Sequence, residues 1–294
     1  MLMIKIPHIL HEIRSTVSIT PFFLYEINMS NTFSDDYYQR FSGIARLYGE
    51  SALATFSRAH ICVIGIGGVG SWVAESLVRS GIGEITLIDM DDVCITNTNR
   101  QIHALKGNIG RAKTEVMAER LKQINPQCRV HCIDDFINQD NVSEYLGERT
   151  SPKFQFIVDA IDSVRDKAAV LAYCRRNKLK VITIGGAGGQ KDPTKIQIAD
   201  LAKTIQDPLL AKLRERLKNN YKLTKDSKGK YGITCVFSTE QLTYPTVNGL
   251  TCQIKSEAQG VKKMDCSSGF GAITTVTATF GFVAVSYILA KLAS

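Results

Sequence analysis

The segment that most constrains this chain is the loop Gly65-Ile66-Gly67-Gly68-Val69-Gly70, which follows the apolar run Ile61-Cys62-Val63-Ile64 without a gap. Glycines between a strand-like and a helix-like run let the backbone turn sharply. Its N–H groups can then approach phosphate at the helix N-terminus. A bare tight turn would need glycine too, but not the strand and helix on either side. Asp89 closes a second apolar run, Ile85-Thr86-Leu87-Ile88. It stands about 20 residues past the loop, where a carboxylate accepts hydrogen bonds from ribose hydroxyls. Its other reading is a turn or helix cap. These two features suit a dinucleotide and a nucleoside triphosphate equally.

The pattern around the loop alternates. Ser34 to Ser57 reads as one or two helices leading into a strand at 61–65. A helix from Ser71 to Arg79 stops at Gly81, and a strand covers 85–89. A helix from Arg111 to Ile124 ends before Pro126. Strands at about 129–134 and 156–161, a helix at about 164–177 and a strand at 180–184 complete the series. The alternation predicts an α/β fold with a doubly wound, mainly parallel sheet. Residues 1–29 are irregular and read as an extension outside the fold, with Met29 as an alternative start. Residues 30–294 read as one domain, with a nucleotide-binding half at about 55–190 and a substrate half at about 191–294.

Beyond Gly189 the pattern changes. Asp207-Pro208 is a helix start, with Asp as cap and Pro in the first turn. Between Lys212 and Lys230 lie eight basic residues, Lys212, Arg214, Arg216, Lys218, Lys222, Lys225, Lys228 and Lys230, opposed by Glu215 and Asp226. Asn219 to Lys230 reads as a mobile loop. The formal charge of the chain, +8, permits a polyanionic partner without requiring one. The uncharged stretch 271–290 has the length of a membrane span. Its four threonines and the lack of a basic flank on its N-terminal side favour a buried helix.

Four further residues carry candidate chemistry. Asn97 and Arg100, three apart, can face one side of a helical turn, and an arginine fork neutralises phosphate oxygens. The alternative is a loop cap beside a solvated cation. Lys113 stands just beyond them and is by itself unremarkable on an amphipathic helix. Asp162 ends the run Phe156-Ile157-Val158-Asp159-Ala160-Ile161. It can hold a magnesium ion bridging phosphates, cap the helix that follows, or do both. The eight cysteines contain no Cys-x-x-Cys pair, so no zinc is expected, and reduced thiols place the chain in the cytoplasm.

Together, Gly-x-Gly-Gly-Val-Gly, Ile-Asp-Met-Asp-Asp-Val, Asn-Thr-Asn-Arg-Gln, Lys113 and Asp159-Ala-Ile-Asp162 resemble the ubiquitin-activating-type adenylating enzymes. The resemblance runs from about Tyr38 to the C-terminus. It implies a Rossmann-like homodimer that binds ATP with Mg2+. It gives Gly65, Gly67, Gly68 and Gly70 to the nucleotide, Asp89 to ribose, Asn97, Arg100 and Lys113 to phosphates, and Asp162 to the metal. It also implies an arginine supplied by the partner subunit's N-terminal helix, for which Arg40 is the best match and Arg46 the second. The chain departs from most relatives in lacking the paired cysteines of their zinc site.

Ile205-Gln206-Asp207-Pro208, Cys235-Val236-Phe237-Ser238 and Met264-Asp265-Cys266 resemble the branch that dehydrates threonylcarbamoyladenosine beside the anticodon of tRNA. That branch implies tRNA as substrate and a cysteine-desulfurase sulfur-acceptor system as a partner. Lys212, Arg216, Lys222, Lys225, Lys228 and Lys230 are then tRNA-binding candidates. Cys235 and Cys266 are either functional thiols or small buried residues, and ring closure needs no thiol. Two rival readings stand beside this one. A nicotinamide-dependent oxidoreductase would use the glycines and Asp89 but give no joint role to Arg100, Lys113 and Asp162. A non-catalytic tRNA-binding or sulfur-relay protein would need the basic stretch and a cysteine but no intact magnesium site.

Overall fold

The computed structural model of the chain describes residues 33–147, 153–246, 249–253 and 270–294. The expected 1–29 extension and Cys266 lie outside these. The chain divides into two units, Met1–Arg40 and Phe41–Ser294. The described part of the first unit opens helix α1 (Asp35–Tyr48), with Asp35 and Asp36 in its first turn. There the Arg40 Nε donates to the Asp36 Oδ2 at 3.0 Å, one turn back.

The second unit continues with α2 (Glu50–Arg58), β1 (His60–Ile64), α3 (Gly70–Arg79), β2 (Glu84–Ile88), α4 (Lys113–Ile124) and β3 (Arg129–Ile133). Next come α5 (Val142–Leu146), β4 (Phe156–Asp159), α6 (Val164–Asn177), β5 (Val181–Ile184) and β6 (Ile196–Asp200). The series ends with α7 (Pro208–Tyr221), β7 (Thr234–Ser238), β8 (Tyr244–Pro245), β9 (Thr251–Cys252) and α8 (Thr274–Ala293). Seven strands form one sheet in the order β3-β2-β1-β4-β5-β7-β6. All its pairs are parallel except β6 with β7. This is the expected doubly wound sheet, and strands from both expected halves build it.

Strand side chains alternate between faces. Ile61 and Val63 join a core with Phe56 of α2, Leu77 of α3 and Phe280 of α8. Cys62 and Ile64 join Leu146 of α5 and Val170 of α6 on the other side. Helices cover both faces, which is why these strands read as unbroken apolar runs. Farther along the second face, Leu210, Leu213 and Leu217 of α7 pack with Leu171 of α6 and Cys235 of β7.

Several boundaries move, each for a local reason. β1, β2 and β4 end at Ile64, Ile88 and Asp159, so Gly65, Asp89 and Asp162 stand in loops just past the strands. α4 begins at Lys113 rather than Arg111, because residues 110–113 pair with 91–93: Val93 N donates to Arg111 O at 2.8 Å and Lys113 N to Asp91 O at 3.0 Å. The mobile loop expected over Asn219–Lys230 needs correcting. Asn219 to Tyr221 are helical, and Lys222 ends α7 with φ 55. The remaining turn closes on the Asp226 carboxylate, which accepts from Lys228 N and Lys230 N at 2.9 Å.

The cap at Asp207 is as expected, accepting from Leu210 N at 3.0 Å and also from Gly186 N at 2.8 Å. The apolar C-terminal stretch forms α8, which packs on α2, α3 and strands β5 to β7. By length and composition α8 could cross a membrane, but half of its apolar window is buried in the fold.

Candidate nucleotide site

The strand order reverses direction between β1 and β4, where open α/β sheets leave a crevice at the carboxyl ends. The glycine loop fills the floor of this crevice. Gly65 has φ +86, and a Cβ there would sit 2.9 Å from Ala160 O; a Cβ on Gly70 would sit 1.8 Å from Gly65 O. Both positions exclude any side chain. α3 starts at Gly70 with no side-chain cap and no acid in its first turn. Ser71 N closes back on Gly67 O, and Trp72 N and Val73 N on Val69 O, at 3.0 to 3.1 Å, so an anion here would meet the N–H groups of the glycine loop just ahead of these, with the helix dipole behind them.

The other sequence-predicted residues gather around this loop. Asp89 Oδ2 accepts from Ile66 N at 2.6 Å and Oδ1 from Asp91 N at 2.9 Å. Burial pushes the Asp89 carboxyl up, against the pull of Lys113. Lys113, itself buried, places Nζ 2.7 Å from Asp91 Oδ2 and 3.8 Å from Asp89 Oδ1. The Asn97 Oδ1 accepts from Cys94 N at 3.0 Å, so its oxygen serves the local turn while its amide N–H groups remain donors. The Arg100 stem lies over Gly68, with Cγ 3.2 Å from where a Cβ would be. Its Nη1 donates to Thr96 O and Asn99 Oδ1 at 2.8 and 2.9 Å. Trp72 of α3 holds this segment through Nε1 to Arg100 O at 3.0 Å. From α8, Thr274 Oγ1 donates to Asn99 O at 2.6 Å, and Asn99 Nδ2 donates to Ala272 O at 2.8 Å.

Asp162 is exposed, on the turn whose Ala160 lies against Gly65. The expected cap role belongs to its neighbour: Ser163 Oγ accepts from Asp166 N at 3.5 Å. Sequence reasoning missed what holds this turn. Asp159 and Lys167 are fully buried, with Nζ 3.0 Å from Oδ2. Lys167 Nζ also donates to Ile161 O at 2.9 Å, and Thr183 Oγ1 donates to Asp159 Oδ2 at 2.7 Å. The available signal was an aspartate inside an apolar strand, which needs a buried partner. His103 was also missed. It is buried, and burial, with Lys113 and Arg120 nearby, holds its imidazole down to about 4, so it is neutral at pH 7.

The remaining candidates lie apart from the crevice. Cys235 is fully buried in β7, and desolvation raises its thiol well above the ordinary value, which makes it a packing residue rather than an exposed nucleophile. Cys94, not singled out from the sequence, is instead exposed in the turn that holds Asn97, and the Thr96 hydroxyl on its Sγ pulls its thiol down. Lys212 and Arg216 are on α7, while Lys225, Lys228 and Lys230 are exposed in the turn after it. At the opposite ends of β1 to β3, ligand atoms of His60, Glu84 and His131 lie within 4.8 Å of one another. This group is close enough to share a metal ion, although Arg129 also holds the Glu84 carboxylate.

An uncapped helix N-terminus, an arginine over the glycine loop and a free carboxylate beside it define a nucleotide-binding α/β protein built for phosphate chemistry. The chain belongs to the ThiF family, whose model matches residues 38–294. It is 65% identical over 264 residues to the tRNA threonylcarbamoyladenosine dehydratase of Escherichia coli, covering 90% of this chain and 97% of that one. The protein of the same name from Haemophilus influenzae is 57% identical, over 88% and 95% of the two chains. Among solved structures, TcdA (CsdL) superposes with a TM-score of 0.81 at 63% identity, covering 88% of this chain and 95% of that one. The E. coli TcdA complex with ATP superposes at 0.78 with 62% identity, over 88% and 96%.

Proposed function

We propose that this chain catalyses the ATP-dependent dehydration of N6-threonylcarbamoyladenosine next to the anticodon in tRNA. The observation that carries the reading is the glycine loop at the uncapped start of α3 with the Arg100 stem over it, in a chain so close to dehydratases along nearly its whole length. A nicotinamide enzyme would share the glycines, but E. coli TcdA has been solved with ATP and with AMP.

A free carboxylate is a poor electrophile because its leaving group is oxide. The threonyl carboxylate oxygen attacks a phosphorus of ATP, pyrophosphate leaves, and a mixed anhydride forms. The carbamoyl group of the same nucleoside then attacks the activated carbonyl carbon and releases its N–H proton to solvent, AMP departs with the former carboxylate oxygen, and the ring closes. Net loss of water is thereby driven by ATP. Both reacting groups belong to one nucleoside, so the second step has a high effective concentration. The AMP complex of the E. coli relative supports adenylyl over phosphoryl transfer.

In this scheme the α3 N-terminus and Arg100 bind the phosphate oxygens and stabilise the charge that develops on them. Lys113, now held by Asp91 and near Asp89, would turn to the phosphates as ribose takes Asp89. The free Asp162 carboxylate beside the loop is the fitting ligand for Mg2+, which would neutralise phosphate charge and orient it for attack. The test is to incubate the protein with ATP, magnesium salt and threonylcarbamoylated tRNA, then digest the tRNA and weigh its nucleosides. Loss of one water from the modified adenosine is expected; an unchanged nucleoside with active ATP and intact tRNA would refute the reading.

A homodimer with composite sites goes with this proposal, Arg40 reaching the partner's nucleotide and Arg46 being the second choice. Mixing Arg40→Ala with Asp162→Ala subunits is expected to restore part of the activity that each lacks alone. No recovery despite proven subunit exchange would count against shared sites. A sulfur-acceptor system remains a proposed partner, with Cys266 rather than the buried Cys235 as the thiol to test.

The basic turn after α7 gives another expected result. Changing Lys222, Lys225, Lys228 and Lys230 to glutamine should weaken tRNA binding and flatten its salt dependence, because phosphate contacts release counterions. The side chains are exposed, so the fold and ATP affinity should not change. Unaltered affinity and salt slope would make the turn a solubilising surface.

A further inference from the structure

α6 and α7 pack together on the second face of the sheet, and a cavity of about 240 Å³ opens between them. Three guanidinium groups line it: Arg165 and Arg176 from α6 and Arg216 from α7. Their spacing explains the convergence. Residues 165 and 176 are eleven apart, close to three full turns, and so share a stripe of α6. Lys212, Arg216 and Asn220 recur every four residues and share a stripe of α7. The acid that lines the cavity, Asp166, is already engaged by Ser163 Oγ at 2.7 Å.

The donors outnumber the acceptors. Arg165 is largely exposed, and its Nε lies 4.0 Å from Asp166. Arg176 gives one N–H to Tyr221 O at 2.9 Å and stands over the Tyr221 ring at 5.8 Å. The Arg216 Nε is buried with no hydrogen-bond partner. A buried donor left unmade costs its full desolvation, so such a group calls for a ligand. Convergent guanidinium forks match the oxygens of phosphate. The nucleotide's own phosphates are accounted for by the α3 N-terminus, which none of these residues joins. Lys212 stands one turn before Arg216 on α7, and Lys222 follows Tyr221 at the end of the same helix.

We infer that this cavity seats a backbone phosphate of the tRNA and so fixes the register in which the modified nucleoside reaches the nucleotide crevice. The inference rests on the tRNA reading given above. Neither the loop lysines nor the crevice supplies this contact: it is a concave, preformed site between two rigid helices.

The test measures tRNA affinity of the full chain over a series of salt concentrations. Arg176→Gln with Arg216→Gln should weaken binding about tenfold and make the slope of log K against log salt shallower by about one. Arg165→Gln, at an exposed position that cannot unsettle the fold, should move both in the same direction by less. ATP affinity by calorimetry should be unchanged in both variants. If wild type binds tRNA and the variants bind it with equal affinity and slope, the inference falls while the functional reading stands. If wild type binds no tRNA, both fall. Calorimetric binding of inorganic phosphate that the double variant loses, with tRNA affinity equal in both, would assign the cavity to free phosphate and overturn the inference. Loss of binding to a sulfur-acceptor protein with tRNA affinity intact would assign it to a protein and overturn it too.

Discussion

Asp162→Ala is expected to stop turnover while leaving the folded chain as stable as before. The two halves of this result come from different observations. Ser163 caps α6, so removing the Asp162 carboxylate breaks no cap, and the side chain is exposed, so no cavity forms. Surface changes of this kind usually shift stability by less than about 0.5 kcal/mol. The proposed metal ligand acts on the reacting phosphates, and its loss should lower kcat about 100-fold or more. The measurement is single-turnover nucleoside mass spectrometry beside a thermal melt. Near-normal kcat would remove Asp162 from the chemistry. A large drop in melting temperature would show a structural role that the hydrogen bonds do not contain.

Lys167→Met should have the largest effect on stability of any single change near the site. Lys167 and Asp159 are fully buried, so removing the cation strands a carboxylate in the core. Breaking one side of a buried pair costs roughly 3–5 kcal/mol, although replacing both partners with apolar groups can be nearly neutral. Adding Asp159→Asn to Lys167→Met should therefore recover part of the loss. Activity should fall even where the chain folds, because Lys167 Nζ also fixes Ile161 O in the turn that presents Asp162. Urea unfolding of the two variants checks the claim. A single variant within about 1 kcal/mol of wild type would show that the pair is not what holds this region.

Much of the nucleotide end was legible because its requirements are local. Gly65 and Gly70 are demanded by backbone approaches that no side chain survives, and the flanking apolar runs announce the strand and the helix. The alternation of elements gave away the parallel sheet, since each crossover needs its own helix. Pairings between distant segments were not legible. Nothing in the spacing says that Lys167 turns inward to Asp159 while Arg165, two residues earlier, faces solvent. Arg176 looks like an ordinary surface cation, and Arg216, a tRNA-binding candidate by resemblance, has no visible companion until α6 and α7 are packed together. The end of α7 was misread for a different reason. Asn219 and Asn220 have weak helical preference, yet the buried Leu213 and Leu217 and a left-handed cap at Lys222 carry the helix through them.

The strap from α8 to the Asn97–Arg100 segment has a bearing on the order of events in biosynthesis. Every nucleotide motif is encoded before residue 163, but two hydrogen bonds that steady the arginine-bearing segment come from Ala272 and Thr274. A nascent chain that has made the whole loop, both aspartates and the lysine still lacks the last support of its own ATP crevice. The crevice is thereby braced from far along the chain: a product cut short of α8 would carry every nucleotide motif in its sequence and lack the two bonds that tie Asn99 down.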